Sequence, residues 1–443
     1  MILNSPGRSY LCDRYLHGFM NKFFLLIYFI LICTAAIGQQ NFQYYYGQAR
    51  EAYKAGDHAK FYELTVKANE LHPYHQGALY YRGVAAALTN RPDEAVRYLR
   101  DAVLVNAQFD LSIDELKSLA SQKDFEALKS LQQNLRLPVI HSDTAFVLKD
   151  RTLHLESVAA GEKNGVFYLS SIRKRKIVKV DEKGNATDFT KSGQDGLTSV
   201  LSVKIDKTKK VLWVCSSPMP EMENYDTISV SSVVKYDLKS GKLLVKYIPD
   251  ASVKNSVFGD LILNKKGEVF ISDTQNNTVF KVNEATKKLE PYFTSQEFWN
   301  IQGITFSADE HFLFIADYIK GIFRLDTQTK ELIQLTKEPL VSLKAIDGLI
   351  WYQNSLIAIQ NGVVPMRVTR YLLNPSLDNI TQFEIIDRAH PSFNDPTNGC
   401  ISNSTLYYVA NSQWGGYDDK HQLTFIDKLQ DIVILKTDLK KIR

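Results

Sequence analysis

GDLILNKKGEVFISDTQNNTVFKVN, residues 259–283, and QGITFSADEHFLFIADYIKGIFRLD, residues 302–326, are two copies of one pattern. Each opens with an apolar run and crosses a charged turn. A second apolar run then ends in Asp273 or Asp317, and a third ends in Val282-Asn283 or Leu325-Asp326. Short runs of Val, Ile, Phe and Leu broken by Asn, Asp, Gly and Lys read as strands joined by hairpin turns.

The same grammar extends in both directions. It recurs after Glu156 in GVFYLSSIRKRKIVKVD, after Leu201 in KVLWVCSS and VVKYDLKSGKL, after Asp347 in NSLIAIQNG, and after Asn398 in STLYYVANS. Six copies at roughly 40–60 residues match the repeat length of propeller blades. Radial closure also protects strand edges that an open stack would expose. The phrase ITFSADEHFLFIAD, Ile304 to Asp317, lacks the Trp-Asp dipeptide of other propellers. It resembles the blade motif of the calcium-dependent phosphotriesterase, senescence marker protein and gluconolactonase superfamily, a likeness that covers about 290 residues and implies a six-bladed β-propeller.

In a propeller the start of each blade's innermost strand points at the central channel. Aligning the copies gives the column Glu156, Leu201, Gly259, Gln302, Asp347 and Asn398, followed by Ser157, Ser202, Asp260, Gly303, Gly348 and Gly399. The resemblance implies a divalent ion at the channel mouth, held by a Glu of the first blade, Asn residues of the third and fourth, and an Asp-Gly of the fifth. Those positions fall on Glu156, on Gly259 or Asp260, on Gln302, and on Asp347 with Gly348. Oxygen ligands suit a hard cation such as Ca, with Zn the other candidate. Such an ion would polarise a lactone carbonyl while Asp347, the catalytic candidate, activates water. The chain departs from the family pattern: Gln302 replaces Asn, the third-blade Asn is lost, and Leu-Glu-Ser-Val-Ala surrounds Glu156. Without an ion, Glu156 and Asp347 read as hydrogen-bonded channel carboxylates.

Other residues offer themselves more weakly. His154 stands two positions before Glu156, which puts both on one face of a strand. Trp414 and Tyr417, in the loop 411–417, read as rim aromatics for stacking on a sugar or peptide, or as packing. Arg173 to Lys176 reads as a solvated hairpin edge. Asn185 and Asn379 open glycosylation sequons that act only in a eukaryotic secretory route. Phosphate-binding glycine loops and serine nucleophile elbows are missing from the sequence.

Between Phe42 and Leu137 apolar residues recur at helical spacing with a repeat near 34: Thr65 pairs with Leu99 and Ala68 with Ala102. Leu79, Gly83, Ala95, Leu99 and Ala102, with Pro73, resemble the tetratricopeptide consensus. A third, degenerate helical pair is expected over 112–135. Tyr44, Tyr45, Tyr46, Tyr80 and Tyr81 are either a partner-binding surface or packing residues.

Asn21 and Lys22 precede the apolar run Phe23 to Ile32 and the small residues Ala36 and Gly38. This reads as a cleavable export signal cut before Gln39, with Met20 as the start and 1–19 as an upstream extension. The run is shorter than the ~20 residues of a membrane span, so no permanent span is expected. Ile32 is bulky where a lipoprotein signal before Cys33 wants a small residue. Cys215 and Cys400 then remain, each in an apolar strand, and read as free thiols. With 53 basic and 49 acidic residues the net charge is +4, and no basic block argues for nucleic acid.

The expected architecture is thus multidomain, α then β: a signal segment over 1–38, a short tetratricopeptide-like helical repeat domain over 39–137, and a six-bladed β-propeller over 138–443. The expected function is an exported, secreted or periplasmic protein that binds a small-molecule or sugar ligand at the channel and a protein or peptide through the helices. The alternatives are a divalent-metal-dependent lactonase or esterase using Glu156, Gln302 and Asp347, and a structural spacer of an envelope assembly.

Overall fold

A computed structural model describes residues 41–424 and 426–442. The export signal expected over 1–38, with Cys12 and Cys33, lies outside the described residues. Among the described residues no helix is long and apolar enough to cross a membrane. The chain divides into two compact units, one of residues 41–103 and 109–129, the other of 104–108 and 130–442.

The first unit is built from α1 (41–54), α2 (His58–Leu71), α3 (Gln76–Leu88), α4 (Pro92–Val105) and the start of α5 (Lys123–Arg136). Asp57 caps α2 by accepting from Lys60 N at 3.0 Å, and His75 caps α3 by accepting from Ala78 N at 3.1 Å, which supplies partners for otherwise orphaned donors. The repeat positions explain themselves in packing. A Cβ on Gly83 would lie 2.6 Å from Leu99 Cγ, so α3 and α4 approach closely only with glycine there. Ala68, Ala95, Leu99 and Ala102 are all fully buried.

The third pair differs from expectation: its first member is a 3₁₀ turn, Asp114–Leu119, and only α5 is a full helix. Leu116 and Leu119, spaced by three, are its two buried residues, and that spacing suits a three-residue turn. Of the five tyrosines only Tyr44 is well exposed, at 60%. Tyr80 stacks on Phe109 at 4.5 Å and donates to Asp110 O, while Tyr81 packs against Tyr46 and Phe61.

The second unit is a six-bladed β-propeller. Blades 1 to 4 each hold four antiparallel strands taken in chain order: 158–188, 199–247, 258–294 and 301–334. Blade 5 (Ile346–Tyr352, Ser355–Gln360, Arg367–Leu373, Asn379–Arg388) gains Val139–Ile140 and Thr336–Lys337 at its outer edge. Blade 6 has three late strands, Gly399–Ser402, Thr405–Val409 and Ile432–Asp438. Its fourth is Asp143–Leu148, from the start of the propeller, which pairs antiparallel with Ile432–Asp438 and closes the ring.

The core is divided. Six apolar clusters each draw on two adjacent blades, for example Trp213, Val233, Phe258 and Phe280 between blades 2 and 3. Blades are therefore covered on both faces, which is why their strands read as continuous apolar runs rather than strict alternation.

The aspartate that ends a second strand is a structural device. Asp317 accepts from Trp299 N, Asn300 N, Ile319 N and Lys320 N at 2.6–3.0 Å. Asp273 accepts from Val257 N, Gln275 N and Asn276 N at 3.1–3.2 Å, and from Asn276 Nδ2 at 2.9 Å. Each pins the following turn to the segment that enters the innermost strand.

Neighbouring innermost strands are joined in two ways. Across blades 1 to 4 side chains do it: Ser157 Oγ accepts from Val203 N at 3.4 Å, Ser202 Oγ donates to Asp260 Oδ1 at 2.7 Å, and Asp260 Oδ2 accepts from Ile304 N at 3.4 Å. Between blades 4 and 5 the backbones come together. A Cβ on Gly303 would sit 2.5 Å from Leu349 N and 2.7 Å from Asp347 O. Gly303→Ala should therefore lower stability by about 2–4 kcal/mol in denaturant titration, whereas Gly415→Ala, with nothing within 4 Å, stays within about 0.5 kcal/mol. Equal effects at the two positions would refute the close-approach account.

Candidate functional site

The channel column folds as the alignment implies, with one exception. Glu156, Leu201, Gly259, Gln302 and Asp347 all line a cavity of about 500 Å³ at one end of the channel. Asn398 does not. It is buried, its backbone N–H donates to Glu156 O at 3.1 Å, and its side chain accepts from Gly399 N, so it joins blade 6 to blade 1. Asp260 also stays out of the cavity lining, because the pleat turns it into the blade-to-blade hydrogen bonds described above.

Sequence reading missed the rest of the lining. Thr274, Tyr318 and Asn361 each follow the end of a second strand, and they form a second column that aligning those strand ends would have revealed. Asn300 enters from the segment held by Asp317. Asp395 comes from the loop before blade 6, outside any repeat position, and the repeat carries no signal for it.

Glu156 Oε1 accepts from Ser412 Oγ at 2.5 Å and from the indole Nε1 of Trp414 at 2.8 Å. The backbone N–H of Trp414 donates to Asp395 Oδ2 at 3.1 Å, so one residue of the 411–417 loop holds two carboxylates. Tyr318 OH donates to Asn361 Oδ1 at 3.0 Å, which turns the Asn361 amide so that Nδ2 donates to Asp347 Oδ2, also at 3.0 Å. Gln302 Nε2 donates to Asn300 Oδ1 at 2.6 Å.

Three carboxyls around one cavity, Glu156 buried and Asp347 and Asp395 half-buried, repel one another. Burial, then the Asp260 and Asp395 charges, push Asp347 up to about 7. Burial, then the Asp347 charge, raise Glu156 well above the usual carboxylate range, and burial raises Asp395.

His154 stands behind Glu156 in a left-handed backbone conformation, φ 51°. Its Nδ1 pairs with Tyr417 OH at 2.9 Å and its ring meets Trp414 edge-on at 4.2 Å. Nε2 lies 3.8 Å from Glu156 Oε1, is buried, and makes no hydrogen bond. Burial and the nearby Arg173 charge hold this histidine down to about 3, so it is neutral. Trp414 thus lines the cavity, while Tyr417 positions His154 from outside it. The basic stretch is not a solvated edge: Arg173 and Lys174 both reach Glu223 Oε1, at 2.8 and 2.7 Å, and Lys176 pairs with Asp188.

The cation implied by the family resemblance meets a poor donor set. Gly259 supplies no oxygen, and the space beside it is filled by Gln302 Oε1, 3.2 Å from where a Cβ would stand. Asp260 is committed to blade contacts, and Gln302 is tied to Asn300. Among the described residues no group of three or more His, Cys, Asp or Glu is arranged to hold a metal ion. The residues present do not fit the four-ligand ion site.

A scan against protein-family models finds no match, and a search of curated proteins finds none either. Solved structures similar to this chain include a luciferin-regenerating enzyme (11% identity, 69% of this chain and 97% of that one, TM-score 0.48). The PQQ-bound aldose sugar dehydrogenase of Streptomyces coelicolor is another (11%, 68% and 99%, 0.46), as is a gluconolactonase of Xanthomonas campestris (12%, 66% and 88%, 0.46). Identities this low carry none of their chemistry to this chain, and the propeller assignment stands on the sheet topology.

A carboxyl that holds its proton more tightly folded than unfolded stabilises the fold below the ordinary carboxylate range, near 4. It loses that contribution as pH rises toward its folded value, about 7 for Asp347. Asp347→Asn should therefore raise the melting temperature at pH 8 and change it little at pH 4. A variant less stable than the parent at pH 8 would contradict the repulsion described here.

Proposed function

We propose that this protein is an exported recognition protein whose propeller channel takes a small polar ligand and whose helical unit docks a protein or peptide partner. The observation that carries the channel reading is the cavity. About 500 Å³ accommodates a sugar-sized molecule, and it is lined by amides (Asn300, Gln302, Asn361), a hydroxyl (Thr274), carboxylates and two aromatic residues, Tyr318 and Trp414. Amides and hydroxyls fix the orientation of a hydroxylated ligand, and an aromatic face covers its apolar side. Export rests on the signal pattern of residues 20–38, and partner docking on the repeat-like helices with the exposed Tyr44.

A second reading, metal-free lactone or ester hydrolysis, is favoured by one observation. Asp347, held near 7, is suited to take a proton from water at neutral pH.

Screening hydroxylated small molecules by calorimetry on the full chain separates these readings. Channel recognition requires a saturable ligand whose affinity falls at least about tenfold in Trp414→Ala or Gln302→Ala, with melting behaviour preserved. Ligands insensitive to both substitutions would place binding elsewhere and sink the channel assignment. Turnover of D-glucono-δ-lactone that disappears in Asp347→Asn would establish the hydrolase instead, and saturable Ca binding lost in the Glu156→Ala, Asp347→Ala double variant would restore the ion site.

A further inference from the structure

The carboxylates of the propeller differ in how many donors they are given. Asp273, Asp317 and Asp387 lie away from the cavity lining, and each accepts four hydrogen bonds. The cavity carboxylates are undersupplied. Among the described residues Asp347 accepts a side-chain donor only from Asn361, at Oδ2. Glu156 takes both of its donors on Oε1, and Asp395 takes backbone donors from Trp414, on Oδ2, and from Gly415. One oxygen of Glu156 and one of Asp347 are thereby left to the cavity.

No lysine, arginine or histidine lines that cavity among the described residues. A second, independent feature points the same way. His154 Nε2 is buried and unbonded, and it lies 3.8 Å from Glu156 Oε1. The cavity thus holds three carboxyls and no cationic side chain, and a ligand that completes the site must bring both hydrogen-bond donors and positive charge.

We infer that the channel ligand is a hydroxylated organic ammonium compound, its ammonium group seated among Glu156, Asp347 and Asp395 and its hydroxyls on the amides of Asn300 and Gln302. This rests on the channel-recognition reading above. A primary ammonium supplies three donors and one charge in one group, matching three carboxyls that face no cationic side chain in the cavity. An anionic ligand would add a like charge to a site that already repels itself. A neutral polyol supplies donors but leaves the repulsion in place.

The test compares three hexose derivatives of different charge, titrated calorimetrically at pH 7 into the chelator-treated full chain: D-glucosamine, D-glucose and D-gluconate. D-glucosamine should bind at least about tenfold more tightly than D-glucose, with no saturable heat from D-gluconate. Asp395→Asn should remove that preference while leaving the melting temperature equal to or above the parent's. Cation binding should also release protons, read as heat that differs between phosphate and HEPES buffers. A purely structural role for these carboxylates predicts no such difference. Equal affinities for D-glucose and D-glucosamine would overturn the ammonium assignment and keep channel recognition. Tighter binding of D-gluconate would also overturn it, and saturable heat from none of the three would overturn it together with the reading it rests on.

Discussion

Closure of the ring is the constraint on which the rest depends. The strand Asp143–Leu148, near the start of the propeller in sequence, completes the last blade by pairing with Ile432–Asp438. Asp387 fastens the segment leading into it. Oδ1 accepts from His141 N at 2.9 Å and Ser142 N at 3.1 Å, and Oδ2 accepts from Ser142 Oγ and from Tyr408 OH at 2.9 Å. Burying a carboxylate without a counter-ion costs several kcal/mol. Four charge-assisted bonds at about 1.5–3 kcal/mol each are enough to offset it. The arrangement selects one closed register, since a slip of one residue would turn the apolar face of the closing strand outward.

The candidate site straddles that seam. Glu156 belongs to the segment entering blade 1, yet both donors on its side chain, Ser412 and Trp414, come from the loop of blade 6. The backbone does the same, with Asn398 N–H on Glu156 O. A propeller that failed to close would keep most of its blade cores, because each apolar layer needs only two neighbours. It would lose the geometry of Glu156. Stability is spread over six interfaces, whereas the site is concentrated at one of them.

Much of this was legible beforehand, and the division follows from physics. Repeats impose equivalent environments, so aligning GDLILNKKGEVFISD with QGITFSADEHFLFIAD located blade boundaries and five of the six inward positions. Asn398 broke the pattern because blade 6 receives its outer strand from the start of the propeller, and its inner edge serves as a seam. The second column, Thr274, Tyr318 and Asn361, sits at a fixed offset from strand ends and was there to be read. Asp395 and the double role of Trp414 were not legible, since a loop's path is set by contacts distant in sequence. In the helices, the 34-residue spacing located Leu99 and Ala102 and the tetratricopeptide resemblance located Gly83, while the 3₁₀ turn at Asp114–Leu119 eluded a search tuned to the period of 3.6.

The departures from the gluconolactonase pattern are mutually consistent. Loss of a side chain at Gly259 and lengthening at Gln302 go together, because the Gln302 amide oxygen occupies the space beside Gly259. Glu156, Asp347 and Asp395 stand together at the cavity. Retaining three mutually repelling carboxylates costs folding stability, and the wide interblade layers tolerate that cost. Elsewhere in this propeller Asp273, Asp317 and Asp387 are each given four donors. At the cavity Asp347 receives one side-chain donor and Glu156 two, both on a single oxygen, which leaves bonding capacity there for something other than the fold itself.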